Sequence, residues 1–175
     1  MTNIFYTNTQ IEEILKSITI IVDTREQKNQ HILDYFNAKG IKHINRKLDV
    51  GDYSFLIPDI FNPDILYDYS KHFSIERKGS LEEVSNNIGT GRTAFENELK
   101  LARFNNTSLS IAIEDCSLAD ICNGNYNTKY SKEAFLGSVL TFKHRYNVDF
   151  NFVSKADMGR FIYLNAYYYL RNTLV

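Results

Sequence analysis

Cysteine, histidine clusters and long apolar segments are what this sequence lacks. Its 175 residues include two cysteines, Cys116 and Cys122, and four scattered histidines, which are too few and wrongly spaced for a structural zinc site. Free thiols are typical of a reducing compartment. No basic-then-apolar leader opens the chain, and no apolar run approaches the length that spans a bilayer. We therefore expect a cytoplasmic protein without a membrane partner.

The chain also lacks an excess of either charge. Its 20 Lys and Arg residues balance 21 Asp and Glu residues, for a formal net charge of −1. This balance does not mark a nucleic-acid-binding protein, so any contact with DNA must come from a local basic patch. Hydrophobic residues make up 43% and aromatic residues 14% of the chain, which argues for one folded domain with a sizeable core rather than disorder.

Strand and helix patterns alternate along the chain. A β-branched run at 18–23 predicts a buried central strand that ends in an acid, Asp23. Further strands are predicted at 41–48, 50–57, 72–78, 109–113 and 148–153, and helices at 31–39, 81–88, 93–104, 131–146 and 155–170. This order predicts an α/β domain at 18–175 with a central mixed sheet flanked by helices, after an N-terminal helical extension at 1–17. Glu114, which follows one strand, is expected to cap the next turn.

The predicted strands at 50–57 and 72–78 alternate apolar with polar residues. Side chains two apart share a strand face, so Glu76 and Lys78 point the same way, with Cα atoms roughly 6.6 Å apart. If the two strands pair antiparallel, Asp52 shares that polar face. Two carboxylates and one lysine are the minimal set for a divalent metal and an attacking water. The alternative is a surface charge cluster on an exposed strand face.

Three ordered motifs contain these residues. They are Val22-Asp23-Thr24-Arg25-Glu26, Gly51-Asp52-Tyr53, and Glu76-Arg77-Lys78 followed by Glu82. Together they resemble the nuclease domain of the XPF family of structure-specific endonucleases, a branch of the restriction-endonuclease-like, PD-(D/E)XK fold. The resemblance spans about 18–170, nearly the whole chain, and it implies that fold for the predicted sheet.

The resemblance also implies roles for the acids and the lysine. Asp52 and Glu76 would hold Mg²⁺ or Mn²⁺, with Asp23 as an additional metal-side carboxylate. Lys78 would orient or deprotonate the attacking water, or stabilise charge on the phosphate. Glu82 stands where the family has an aspartate and would support catalysis. Asp23 has the alternative of capping the following turn, and Glu82 that of an ordinary acid in the first turn of a helix.

Three arginines are candidate DNA contacts. Arg25 is expected to contact a phosphate. Arg77 alternates away from the acids, so it is either structural or an electrostatic support, as the resemblance implies. Arg92 adjoins a glycine-rich loop and shares a helical stripe with Lys100 and Arg103. This stripe either tracks a DNA backbone or is a solvated face.

The expected function is a metal-dependent DNA endonuclease. As the resemblance implies, it would hydrolyse phosphodiester bonds of branched, flapped or forked DNA and leave 5′-phosphate and 3′-hydroxyl ends, without a nucleotide cofactor. Because domains of the family pair, a homodimer is expected by analogy. The alternatives are a catalytically silent DNA-binding or scaffold protein with a nuclease fold, and a nuclease that acts on plain duplex DNA.

Two further departures from the family pattern bear on these expectations. The gap between Asp52 and Glu76 looks longer than usual, which implies an extended hairpin tip. The helix-hairpin-helix and helicase parts of the family are not seen beside the domain, so the chain looks similar to stand-alone phage and prophage proteins. A bacterial or phage-infected cell is the expected setting.

Overall fold

The strands that carry the three motifs form the middle of the sheet because their apolar and β-branched residues can be buried on both faces. The computed structural model describes residues 6–174. Residues 1–5 of the predicted N-terminal extension, and residue 175, lie outside it. In the described part, no helix is both long enough and apolar enough to cross a membrane.

Seven strands and seven α-helices follow one another within residues 6–174. The strands are β1 (Thr19–Val22), β2 (Lys42–Asn45), β3 (Tyr53–Pro58), β4 (Leu66–Asp68), β5 (Phe73–Lys78), β6 (Ser108–Glu114) and β7 (Asp149–Val153). The helices are α1 (Asn8–Lys16), α2 (Gln30–Lys39), α3 (Leu81–Ile88), α4 (Arg92–Phe104), α5 (Leu118–Asn123), α6 (Lys132–Tyr146) and α7 (Met158–Leu174). A 3₁₀ turn, Lys155–Asp157, leads into α7.

All seven strands belong to one mixed sheet. Its order is β2-β1-β3-β5-β6-β7, and β4 pairs with the end of β3. Strand β3 is antiparallel to β1 and to β5, where Tyr53 lies opposite Ile75. The pairs β1–β2, β5–β6 and β6–β7 are parallel. The predicted α/β fold with a mixed central sheet is confirmed, and the two motif strands are antiparallel neighbours.

Alternate residues of the strands pack into two cores on opposite faces of the sheet. On the first, called here the α2/α7 face, Tyr53 and Ile75 pack with α1, α2 and α7. On the second, the α4/α6 face, Ile111 and Ile113 pack with α3, α4, α5 and α6. Each fully buried large apolar side chain stabilises the fold by roughly 1.5–3 kcal/mol. Successive residues of β5 therefore point into two different environments.

The structure differs from the predicted pattern at the edges of the sheet. Helix α1 buries Ile14 and Leu15 in the core of the α2/α7 face, so the helix of the predicted extension shares the core of the domain. Strand β4 and helix α5 were not predicted, because each is short. Strand β4 and the turn before it form the tip of the hairpin, where Phe61 is exposed.

Candidate active site

Strand β5 carries the candidate glutamate and lysine on the α4/α6 face. Glu76 and Lys78 are only 7% and 6% exposed, respectively, and Lys78 Nζ lies 2.5 Å from Glu76 Oε1. The ammonium group also lies 5.4 Å from the centre of the Phe95 ring of α4 and 3.6 Å from Glu83 Oε1. The alternative of an exposed charge cluster is therefore wrong, because these two charges are buried beside α4.

Asp52 lies at the entrance to β3, next to β5. Its N–H donates to the carbonyl of Ile75, and its carbonyl accepts from the N–H of Asp23, both at 2.8 Å. Its carboxylate Oδ2 accepts the N–H of Arg77 at 2.8 Å. Asp52 lies close enough to Glu76 and Lys78 for its charge to raise the pKa of Glu76 and for the charge of Lys78 to act on Asp52. The structure thus brings Asp52, Glu76 and Lys78 together.

Burial controls the ionisation of these groups. It raises the pKa of Asp52 to about 7, although the N–H of Arg77 opposes the shift. Burial also raises the pKa of Glu76 well above its usual range, and the charge of Asp52 adds to that effect. Burial has the largest single effect on Lys78 and would lower its pKa, but the charge and hydrogen bond of Glu76, with the charges of Glu83 and Asp52, together raise it overall. Lys78 is therefore protonated at neutral pH.

This charge distribution suits a divalent cation. Asp52 and Glu76 supply hard oxygen donors that repel each other, and a bound cation would relieve that repulsion. Within residues 6–174, no group of three or more acidic, histidine or cysteine side chains is placed to hold a metal. Mg²⁺ does not require one, since it is commonly bound by one or two carboxylates together with waters and substrate phosphates. The two acids fit Mg²⁺ or Mn²⁺ by donor type.

The carboxylate of Asp23 accepts hydrogen bonds from Arg25 and Leu48. Its Oδ1 accepts the main-chain N–H and Nε of Arg25, at 2.7 and 2.8 Å. Its Oδ2 accepts Nη2 of Arg25 at 3.0 Å and the N–H of Leu48 at 2.6 Å. Burial would raise the pKa of Asp23, but these hydrogen bonds lower it overall. The geometry is that of the alternative interpretation, a cap for the turn after β1, and it gives no support to direct metal binding by Asp23.

Arg77 points to the α2/α7 face and is 8% exposed. Its Nε and Nη2 each donate to Glu114 at 2.7 Å, and its Nη1 donates to Glu26 at 3.1 Å. Glu114 also lies 2.6 Å from His31 Nε2. The guanidinium group is thus held in a buried ion-pair network, which disfavours direct contact with DNA. Arg77 instead acts on the site through its main-chain N–H, which orients Asp52.

Arg25 is the arginine best placed to meet a ligand near the acids. Its side chain is 61% exposed, and the charges of Glu98 and Asp52 reach it. Asp23 and the Leu48 carbonyl hold its Nε and Nη2. Nη1 has no hydrogen-bond acceptor among residues 6–174. A phosphate contact by Arg25 stays a prediction.

A sequence model of the ERCC4 domain matches residues 22–164, which include all three motifs. The chain belongs to the ERCC4 domain family. Among curated protein sequences, none matches the chain. The family confirms the resemblance drawn from the motifs.

Two solved structures share the fold of this chain. XPF from Aeropyrum pernix is similar with a TM-score of 0.62 and 15% identity, over 85% of this chain and 59% of that one. A structure of XPF from Aeropyrum pernix in complex with DNA is similar with a TM-score of 0.63 and 14% identity, over 88% of this chain and 66% of that one. The ERCC4 domain described here thus spans about two thirds or less of these relatives.

Two consecutive acids of helix α3, Glu82 and Glu83, have different partners in the ERCC4 domain. Glu82 turns away from Lys78 and accepts the N–H of Asn127 at 2.8 Å, which lowers its pKa. Glu83 accepts the N–H of Gly79 at 2.8 Å and lies beside Lys78. The acid of α3 that reaches the site is therefore Glu83. A supporting role for Glu82 stays a prediction without a contact to the site.

Arg92 belongs to a basic surface on the ERCC4 domain. Its Nε donates to Glu96 at 2.9 Å, and its guanidinium group lies 4.9 Å from the centre of the Phe142 ring. Lys100 and Arg145 lie 3.8 and 4.0 Å from the same carboxylate. Arg103 donates to the carbonyl of Arg145. We call this group, three cations around Glu96 and Arg103 beside them, the basic ridge: Arg92, Lys100, Arg103 and Arg145.

Glu98 is the acid near the site that the motifs do not identify. Its Oε1 accepts the N–H of Gly51 at 3.0 Å, and its charge adds to the raised pKa of Asp52 and of Glu76. A signal exists in the helical pattern, because Glu98 is three residues after Phe95 and four before Ala102, both of which face the core. A charged residue on an inward helix face is unusual enough to mark a candidate.

Proposed function

We propose that this chain is a DNA endonuclease that depends on Mg²⁺ or Mn²⁺ and hydrolyses phosphodiester bonds. The observation that carries the proposal is the convergence of a buried carboxylate, Glu76, and a half-buried one, Asp52, beside the protonated Lys78. An ERCC4 domain that served only as a scaffold would gain nothing from this costly arrangement, since removing two like charges and a lysine from water destabilises a fold even where the lysine pairs with one of the acids.

Each residue of the group has a distinct task. Asp52 and Glu76 would hold the cation, which lowers the pKa of a bound water and neutralises charge on the scissile phosphate. The N–H of Arg77 fixes the orientation of the Asp52 carboxylate. Lys78 is protonated in the metal-free protein, and its action as a base in the metal-bound enzyme stays a prediction. Its ammonium group stabilises the negative charge that develops on the phosphate or orients the water.

Exposed cations near the acids and on α4 and α6 support the proposal that the substrate is DNA. Arg25 is exposed next to the acids, and the basic ridge supplies cations on the surface of α4 and α6, although the whole chain carries a net charge of −1. Local cations of this kind bind DNA phosphates. The solved complex of XPF from Aeropyrum pernix with DNA adds an analogy. We extend the proposal to branched, flapped or forked DNA, with 5′-phosphate and 3′-hydroxyl products.

Cleavage assays with a matched variant test the reaction. Fork, flap and linear duplex DNA would be incubated with Mg²⁺ or Mn²⁺ and either the wild-type protein or Glu76→Gln, which keeps the size of the side chain. We expect the variant to lose roughly 10²-fold or more in rate. Equal rates would remove the assignment of Glu76.

The other outcomes separate the alternatives. Cleavage of fork and linear DNA at equal rates and fixed salt would favour a nuclease for plain duplex. Tight binding of branched DNA without cleavage by either protein would favour a scaffold with a silent nuclease fold. End-labelled products identify which side of the broken bond keeps the phosphate.

A further inference from the structure

Glu98 of α4 is partly buried, and its carboxylate accepts a hydrogen bond from the turn before Asp52. The geometry points to Glu98 as a positioning residue for Asp52, with a negative charge that also strengthens cation binding. This inference rests on the proposed function. Its central observation is the 3.0 Å hydrogen bond from the N–H of Gly51 to Glu98 Oε1, between residues 47 apart in the chain.

The surroundings of Glu98 do not explain its charge by a structural role. Phe95, Leu99 and Ala102 on the same side of α4 are buried against the sheet. The charge of Glu98 reaches Arg25, but Arg25 pairs with Asp23, and among residues 6–174 no lysine, arginine or histidine forms a salt bridge with Glu98. Three cations of the basic ridge, in contrast, lie within 4.0 Å of Glu96. A carboxylate that is partly desolvated and has one neutral donor costs stability unless something else uses its charge.

Contacts other than the hydrogen bond to Glu98 also restrict the conformation of this turn. Gly51 has a φ of 71°, and a Cβ atom at this residue would lie 2.2 Å from Ser74 Oγ, so glycine is required here. Ser74 Oγ in turn donates to the carbonyl of Val50 at 2.6 Å. The turn is therefore confined by Ser74 on one side and tied by Glu98 to α4. Displacing it would move Asp52, which follows directly.

The hydrogen bond and the charge have separable effects. Displacement of a catalytic group by about 1 Å can cost roughly 10²-fold in rate, so loss of the hydrogen bond should lower the turnover rate even at saturating metal. Loss of the charge alone should weaken cation affinity, because Glu98 adds a third negative charge to the field of Asp52 and Glu76. The two effects predict different behaviour for two substitutions.

The experiment compares Glu98→Gln, which keeps an acceptor oxygen, with Glu98→Ala, which removes it. Mn²⁺ binding to the DNA-free protein would be measured by calorimetry, and fork cleavage under single-turnover conditions across Mn²⁺ concentrations. We expect both variants to bind Mn²⁺ roughly 10-fold more weakly. Glu98→Gln should then reach nearly the wild-type rate at saturating Mn²⁺, whereas Glu98→Ala should stay roughly 10- to 100-fold slower.

Glu13→Gln, on the exposed side of α1, is the matched control and should behave as the wild type in both measurements. Thermal melting checks that each variant is folded, and Glu98→Gln keeps the test usable if Glu98→Ala is not. If both Glu98 variants bind Mn²⁺ and cleave DNA as the wild type does, the inference about Glu98 is overturned and the proposed function is not affected. An equal rate loss in Glu98→Gln and Glu98→Ala at saturating Mn²⁺ would overturn the positioning role. A wild-type protein that neither binds Mn²⁺ nor cleaves DNA would overturn the proposed function as well.

Discussion

At the scale of single residues, Arg77 makes contacts on both faces of strand β5. Its main-chain N–H holds Asp52 on the side of the acids, while its guanidinium group pairs with Glu114 and Glu26 on the α2/α7 face. The alternation of β5 made this orientation predictable. The identity of the partners was not, because Glu114 was expected to cap a turn and lies 37 residues away.

Arg77→Met separates a structural role from a substrate contact. We expect it to lower the free energy of unfolding by about 3–5 kcal/mol, since it removes the cation that joins Glu114 and Glu26 and leaves His31 as the remaining partner of Glu114. Urea unfolding measures the loss, with the exposed Lys39→Met of α2 as the baseline, expected within about 0.5 kcal/mol of the wild type. A stable Arg77→Met protein with weaker DNA binding would instead support the substrate contact.

Asp52 gives the metal-free protein a pH-dependent stability. Burial raises its pKa from 3.8 to about 7 in the folded protein, so the folded state binds this proton more tightly than the unfolded state. The stability gained from the proton is complete below pH 3.8 and is lost as the pH rises through about 7. In EDTA, we expect the melting temperature to fall by roughly 5 °C between pH 5 and pH 8 from this group.

Asp52→Asn should remove that part of the pH dependence, and Mn²⁺ should reverse it, because the cation binds the ionised carboxylate and its affinity rises as the proton leaves. Differential scanning calorimetry across the pH range measures both. A melting curve of Asp52→Asn that falls with pH as steeply as the wild type would contradict the assignment of the raised pKa to Asp52.

At the scale of elements, strands were easier to predict than the contacts between them. The period-two patterns of β3 and β5 predicted that Asp52, Glu76 and Lys78 meet, because antiparallel neighbours with both faces buried leave few other registers. Asp23 was assigned to the metal because it ends a buried strand. That pattern carries no information about Leu48, whose N–H reaches the carboxylate from 25 residues away. Glu98 was missed for the same reason.

The basic ridge of α4 and α6 is the element to which DNA binding is assigned. We expect Arg92→Ala to weaken the binding of fork and linear DNA to a similar extent and to reduce the slope of log K against log salt by about 1, as loss of one phosphate contact does. Fluorescence anisotropy at several salt concentrations measures this. Lys39→Ala, on the exposed side of α2, should leave the slope unchanged. An unchanged slope in Arg92→Ala would make the ridge a solvated face, the alternative interpretation of its charged stripe.

At the scale of the whole molecule, the sheet ends at β7, which has no neighbour on its outer side among residues 6–174. A groove of about 670 Å³ lies beside it. Phe152, Val153, Phe161, Leu164 and Tyr168 form the apolar part of its lining, and Asn151, Ser154, Asp157, Arg160 and Asn165 the polar part. An uncovered edge strand with an apolar border invites pairing with another chain. The homodimer expected by analogy would therefore form through β7 and α7.

Tyr168→Lys tests this arrangement, because it places a charge on an exposed aromatic residue of the groove and should convert the dimer to a monomer without unfolding it. Light scattering after size-exclusion chromatography measures the mass, and circular dichroism checks the fold. Phe61→Lys changes an equally apolar and still more exposed side chain at the hairpin tip, and it should leave the dimer intact. A monomeric wild-type protein at high concentration, or a dimer broken by Phe61→Lys and not by Tyr168→Lys, would place any pairing surface elsewhere.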